Sequence, residues 1–387
     1  MLLHSLRLQG FLSFGPDSPE LPLDRLNVLI GSNGSGKSNL IEAIDLLRHA
    51  PSGFRPVFRG GGRIGDWIWK GQTPPTDALV EAVIANPNGQ QNLRYRIAFA
   101  EEGQRFALVD ESIENAHAYE DHDSPYFYYR LNDGAPLINV RGEKRSLQRE
   151  QIELNRSILA QRRDPEQYPE ITYLGETLEH IRIYRDWSFG RHTAARLPQA
   201  PDLPTNFLEP DAGNLGLVLN RLGREPAVKA RLLERLNALY DGIDDYNVQI
   251  EGGSVQVYFH EGQASIPATR LSDGTLRYLS LLATLCHPEP PPLVVIEEPE
   301  LGLHPDILPT VAELLEEAAE RCQLIVTTHS DVLVDALTHR PEDIVVCERG
   351  ERGSIVRRLD ADSLNPWLER YRLGELWTSG EIGGTRW

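Results

Sequence analysis

An α/β fold is what this sequence predicts: a parallel core sheet, an antiparallel β-subdomain and a mixed helical and β insert. Three observations predict it. The run Leu26-Asn27-Val28-Leu29-Ile30 leads into Gly31-Ser32-Asn33-Gly34-Ser35-Gly36-Lys37-Ser38, after which Leu40, Ile41, Ile44 and Leu47 recur at helical spacing. Around Leu93 to Phe99 the apolar period falls to two: Leu93, Tyr95, Ile97 and Phe99 alternate with Arg94, Arg96 and Ala98, a half-buried antiparallel strand. From Leu271 onward, apolar strand runs alternate with helical patterns, the rhythm of βαβ units whose ligands gather at the carboxyl ends of strands.

Taken in order, Leu2, Leu6 and Leu8 with Phe11 and Phe14 predict a first strand and a turn closing at Pro16. The glycine-rich, arginine-bearing stretch Gly53 to Gly65 reads as loop. Strands follow over Leu79–Ala85, Leu93–Phe99, Phe106–Val109 and Tyr126–Leu131, the first two joined by the turn Asn86-Pro87-Asn88-Gly89. Gly142 to Gln161 reads as a polar helix. Between Arg141 and Arg196 basic residues slightly outnumber acidic ones, so this is the least acidic segment; it suits a solvated face or a nucleic-acid or partner surface. Pro198, Pro201, Pro204 and Pro210 mark a linker before helical material from Asn214 to Tyr240. Val248–Ile250 and Val255–Phe259, joined through Gly252-Gly253, form a hairpin. Then come helix Leu276–Leu285, strand Leu293–Ile296, helix Asp306–Arg321, strand Leu324–Thr327, helix Asp331–Leu337 and strand Ile344–Cys347. The expected division is 1–135, 136–262 as the insert, 263–360, and a tail at 361–387.

Composition narrows the class. A net charge of −18 over 387 residues argues against a chain coated in phosphate-binding charge, leaving room only for a local basic patch. Cys286, Cys322 and Cys347 lie singly in apolar stretches without disulfide or metal spacing, as packed thiols of a reducing compartment do. Met1 to Leu12 lacks the apolar core of a signal peptide, and no apolar run approaches the ~20 residues a membrane span needs. A cytoplasmic protein with no membrane contact is expected. His117 and His122 sit among acids in a stretch without strand or helix framing, which reads as solvated loop.

The chemistry starts at Gly31 to Ser38, which fits the P-loop pattern G-x-x-x-x-G-K-[ST] in its proper strand–helix setting. Its glycines let backbone N–H groups of Gly31, Ser32, Asn33, Gly34, Ser35 and Gly36 curl around phosphate oxygens, with the following helix, from Ser38 and Asn39 on, aiming its positive end there. Lys37 would reach the β and γ phosphates of ATP, and the Ser38 hydroxyl would hold Mg²⁺. The strand Leu293-Val294-Val295-Ile296 ends in two acids. Glu297 is assigned to the metal and Glu298 to the attacking water. Leu271-Ser272-Asp273-Gly274-Thr275 opens one helix, and His329 follows the strand end Thr327-Thr328.

P-loop, Leu-Ser-x-Gly, double acid and strand-end histidine, in that order, resemble the ABC-type ATPases of the RecF-like, OLD-like and SMC-like branch. The fold class implied is a P-loop NTPase of the ABC-ATPase head type. Walker A is Gly31 to Ser38, the signature Leu271 to Thr275, Walker B Leu293 to Glu298, and the switch histidine His329. Glu298 to Pro305 is similar to the D-loop of RecF/OLD-like bacterial ATPases, and Phe11 to Phe14 to the opening of such heads. The resemblance implies that Lys37, Glu298 and His329 are catalytic. It also implies that Leu271, Ser272, Asp273, Gly274 and Thr275 act in trans, on a γ-phosphate held by a second copy. Two positions depart from the pattern: the usual Walker B aspartate is Glu297, and the signature reads Leu-Ser-Asp-Gly-Thr. Gln72 is the candidate for the Q-loop glutamine. The tail from Gly374 to Trp387 resembles the end of bacterial ATPases encoded beside small Toprim-like proteins, which implies a separate effector chain.

The function expected is therefore an ATP-hydrolysing, ATP-dimerising switch or motor subunit in DNA maintenance or anti-phage defence. Its expected partners are a second copy, a separate Toprim-like effector and DNA. An OLD-like nuclease-associated ATPase and an ABC transporter ATPase subunit are the alternatives. Residues 330–387 are few for a Toprim domain, and the long stretch between P-loop and signature argues against a transporter motor.

Overall fold

The computed structural model describes residues 1–385 apart from 61, 72, 74, 133, 141–142, 147–151, 154 and 186. Gln72 thus lies outside the described residues, as does part of the expected helix Gly142–Gln161. Where described, that stretch is not helical: Glu143–Ser146 is a strand and Ile158–Ala160 a single 3₁₀ turn. Ile158 and Leu159 are buried in the core, and Ser157 and Ile158 are bonded to buried Glu111, which a solvated polar helix would not allow. Gly53 to Gly65 is likewise more ordered than its glycines suggest, with a short helix over Arg55–Gly60 and a 3₁₀ turn starting at Ile64. Phe54, Val57, Phe58, Ile64 and Trp67 bury their side chains and pin it down.

The core is a mixed sheet in the order Arg182–Tyr184, Leu293–Glu297, Gln323–Thr327, Leu26–Ile30, Ile344–Gly350 and Gly353–Arg358. The first five are parallel and the last is antiparallel. Side chains alternate across it. Val28, Val294, Ile296, Leu324 and Val326 face the helices Asp273–Leu285 and Leu308–Ala319, while Leu29, Leu293, Val295 and Ile325 face the helix Lys37–His49. These near-continuous apolar runs are what a parallel sheet covered on both faces requires.

A second, antiparallel sheet runs Leu21–Pro22, Leu3–Gln9, Asp77–Ile84, Leu93–Glu102, Arg105–Asn115, Phe127–Asn132, Ala135–Val140 and Glu143–Ser146. Buried Gln323 ties the two sheets. Its amide donates to Leu3 O at 2.7 Å and its carbonyl oxygen accepts from Leu3 N at 2.7 Å. The stretch 136–262, expected as an insert, feeds both sheets as well as a third: the hairpin Asp245–Glu251 and Ser254–Glu261, joined by Ala264–Pro267. Arg182–Tyr184 from this stretch becomes the edge strand beside Leu293–Glu297.

One buried acid braces the antiparallel sheet. Glu111 accepts from Tyr95 Oη at 2.8 Å and from Ile158 N at 2.9 Å, with Ser157 Oγ also donating. Burial outweighs these donors and raises its carboxyl from 4.5 to about 7. Because the folded value lies above the unfolded one, this group's stabilisation is complete below pH 4.5 and is lost as pH rises through about 7. Between pH 5 and pH 8, wild type should lose about 2–3 kcal/mol relative to Glu111→Gln, read from urea midpoints. Parallel stability curves would contradict this.

Candidate active site

Parallel register brings the predicted chemistry to one edge. Thr327 pairs with Leu29 on one side and Glu297 on the other, so three neighbouring strands end together. They release the P-loop, the double acid and Thr328-His329 side by side.

The P-loop backbone needs its glycines. Gly31, Gly34 and Gly36 have φ of 150°, 79° and 110°. A Cβ on Gly31 would sit 2.2 Å from Cys347 O, and one on Gly36 2.4 Å from Ser354 Oγ. A Cβ on Gly34 would meet nothing within 4 Å, so the loop's crown faces open space. Lys37 is buried and donates to Gly31 O at 2.7 Å and to Ser32 O at 3.3 Å. Burial lowers its pKa, while Glu298, Glu297 and Glu300 pull it back up. Ser35 Oγ is buried without a partner among the described residues. Asn39 donates to Ser13 Oγ at 2.7 Å, which ties the helix start to the Phe11–Phe14 turn.

Ser38 Oγ donates to Glu297 Oε1 at 2.7 Å. The hydroxyl and the acid expected to hold Mg²⁺ are therefore already together. With the open crown, the inward-turned lysine and the orphaned Ser35 hydroxyl, the residues present fit a triphosphate and its cation.

Glu298 carries a backbone strain. Its φ of 47° places a non-glycine residue in the left-handed region, at a cost of about 1–3 kcal/mol. Hydrogen bonds hold it there: its N–H donates to Thr327 O at 3.0 Å and Thr327 Oγ1 at 3.3 Å, and its carbonyl accepts from Arg277 Nη2 at 2.7 Å and Leu301 N at 3.2 Å. The carboxylate then points to His329, with Nε2 at 3.6 Å from Oε1. Burial and the nearby Lys37 charge depress the His329 pKa against the pull of Glu298, Glu300 and Glu297, so the imidazole is neutral near pH 7.

The signature stretch stands apart from this cluster. Ser272 caps the helix Asp273–Leu285 by accepting from Thr275 N at 3.1 Å. Arg196 donates to Leu271 O, to Thr269 O at 3.0 Å and to the Asp273 carboxylate. A Cβ on Gly274 would meet Gly302 O at 2.7 Å, so signature and D-loop pack through a glycine. Among the described residues no hydrogen bond or ion pair joins 271–275 to 31–39.

Three contributors were not singled out in the sequence. Glu300 accepts from Thr328 Oγ1 at 2.8 Å and from His329 N at 2.7 Å, fixing the switch loop. Arg277 is buried beside Trp187, and burial lowers its pKa against Glu300 and Glu298. Its signal was available: it is the single charge in a run from Thr275 to Leu285 that is otherwise apolar or hydroxyl-bearing and buried throughout. Arg196 gave no signal at all. No cluster of metal-ligating side chains occurs elsewhere among the described residues, His117 and His122 included. No helix among them is long and apolar enough to cross a membrane.

Residues 26–335 match the protein family described as "AAA domain, putative AbiEii toxin, Type IV TA system". An OLD nuclease of Thermus scotoductus is 26% identical over 392 residues, covering 96% of this chain and 68% of that protein. Among solved structures, the SmcHead bound to the C-winged helix domain of ScpA is similar over 94% of this chain and 99% of that one, with 16% identity and a TM-score of 0.61. The Smc head domain with an extended coiled coil derived from Pyrococcus furiosus is similar over 95% and 99%, with 15% identity and a TM-score of 0.60. At such identities the likeness is one of fold, and it is the α/β head expected from the sequence. The chain therefore belongs to this AAA-domain family.

Proposed function

We propose that two copies of this chain close on shared ATP, hydrolyse it and part, so that nucleotide sets an open or closed state. One observation carries the reading. Lys37, Ser38, Glu297, Glu298 and His329 gather at adjoining strand ends, while the signature Ser272 and Gly274 have no bond to their own P-loop. A symmetric pair would let each signature meet the other copy's γ-phosphate.

In that closed pair, Lys37 would leave the Gly31 and Ser32 carbonyls for the β and γ phosphates. Ser38 Oγ and the Glu297 carboxylate would hold Mg²⁺, which when bound neutralises phosphate charge. Glu298 would orient the attacking water and take its proton, and neutral His329 would hydrogen-bond at the γ-phosphate. Gly31 to Ser38 and Asn39 would cradle the nucleotide, and Leu271 to Thr275 would complete the partner's site. Contacts made only with γ-phosphate present favour closure, and hydrolysis removes them.

The reading extends to a switch or motor subunit in DNA maintenance or anti-phage defence in the cytoplasm, acting with DNA and a separate Toprim-like effector. The OLD nuclease relative supports it. Residues 1–135 and 263–360 would form the ATPase lobes. Lys37→Ala should weaken ATP binding at least ~10-fold, because a charge-assisted bond to phosphate contributes about 1.5–3 kcal/mol. Calorimetric titration with ATP checks this, and unchanged affinity would remove the nucleotide reading.

A further inference from the structure

A cleft of about 1420 Å³ opens between the helix Arg55–Gly60, the turn at Gln104–Arg105 and the residues Glu153, Asn155 and Arg156. None of its described lining residues belongs to the ATP site. Among the described residues that line it are four arginines, Arg55, Arg63, Arg105 and Arg156, and one acid, Glu153. All four are exposed. Arg156 stands 3.5 Å from Glu153. Among the described residues Arg55 and Arg105 have no ion pair and no side-chain hydrogen bond. In a chain of charge −18 such a concentration of unspent positive charge is unusual.

The cleft is braced on two sides. Phe58 stacks on Phe106 at 5.1 Å and Phe54 on Phe106 at 5.1 Å, forming a floor in which Phe54 and Phe58 are 3% and 6% exposed. The opposite wall is fixed immediately after Arg156, where Ser157 and Ile158 are bonded to buried Glu111. The floor leaves little ring face for stacking a base. What it presents is guanidinium, whose planar fork of donors matches phosphate oxygens in pairs. The volume exceeds the roughly 300–1000 Å³ of ordinary small-molecule sites, so it suits a chain of anions.

We propose that this cleft binds a nucleic-acid strand through its phosphates, without reading its bases. The inference deepens the proposed action on DNA and rests on that reading for its ligand; it does not rest on ATP-driven closure. The test is fluorescence anisotropy with a labelled 20-nucleotide single strand of mixed sequence, titrated at several salt concentrations. Against wild type, Arg55→Ala/Arg105→Ala should weaken binding ~10-fold or more and reduce the slope of log affinity against log salt by about 1.4, near 0.7 per phosphate contact on a single strand. Arg55→Lys/Arg105→Lys should keep the slope, and ATP turnover without DNA should be unchanged in both, which shows the fold intact. Equal affinity and slope in wild type and the alanine pair would overturn the cleft while leaving DNA binding elsewhere. A wild-type protein that binds no strand would overturn cleft and DNA role together, with ATP-dependent pairing still separately measurable. Displacement of the strand by an equal concentration of a polyglutamate peptide would also overturn it, in favour of an acidic protein ligand.

Discussion

Glu298→Gln protein is expected to bind ATP within a few-fold of wild type yet release phosphate roughly 10²–10⁴ times more slowly, the usual worth of a positioned general base. The substitution keeps the shape of the side chain and the backbone strain at φ 47°, so the Thr327 and Arg277 bonds that hold residue 298 should persist. It removes only the group that can accept the water's proton. The neighbouring acid provides the contrast. Glu297 is bonded to Ser38, so Glu297→Gln should act through the metal and show itself as a raised Mg²⁺ requirement for turnover. Steady-state phosphate release over a Mg²⁺ series separates the two. A Glu298→Gln enzyme within about threefold of wild type would show that another group activates the water.

The second large effect concerns sites shared between copies. Lys37→Ala removes a chain's own phosphate-binding charge, and Ser272→Arg blocks what it lends its partner. Each variant alone should be inactive. Mixed in equal amounts they should recover about a quarter of wild-type turnover, since half of the symmetric pairs are mixed and each of those has one complete site. The bulk of Ser272→Arg falls on a helix cap whose side chain accepts only from Thr275, so the fold should tolerate it. Circular dichroism checks that. A mixture as inactive as its components would mean that each chain works with its own signature.

The parts of this account legible in the sequence share one property: their local pattern was strong. Leu26–Ile30 and Leu293–Glu297 are short, almost wholly apolar runs bounded by a glycine loop and a double acid, and both were expected as buried strands, though their neighbours in the sheet were not. The acids were found because they stand where such a strand ends. What stayed hidden was decided at a distance. Arg182–Tyr184 is three residues long and shows no period, and it is a strand because the edge of Leu293–Glu297 is there to receive it. Ala135–Val140 and Glu143–Ser146 prolong an existing sheet and carry a proline, an asparagine and charges that a lone strand would not favour. Gly142 to Gln161 was misread because charge composition alone resembles a solvated helix. Arg277 was overlooked for a related reason. A charge on a helix reads as surface until the side chain is seen to be buried and donating to the Glu298 carbonyl.

Light scattering of Glu298→Gln protein, with and without ATP and Mg²⁺, tests the central claim most directly. The account predicts the monomer's mass without nucleotide and twice that mass with ATP, and reversion to monomer when the protein also carries Ser272→Arg. A mass that ATP leaves unchanged would contradict it.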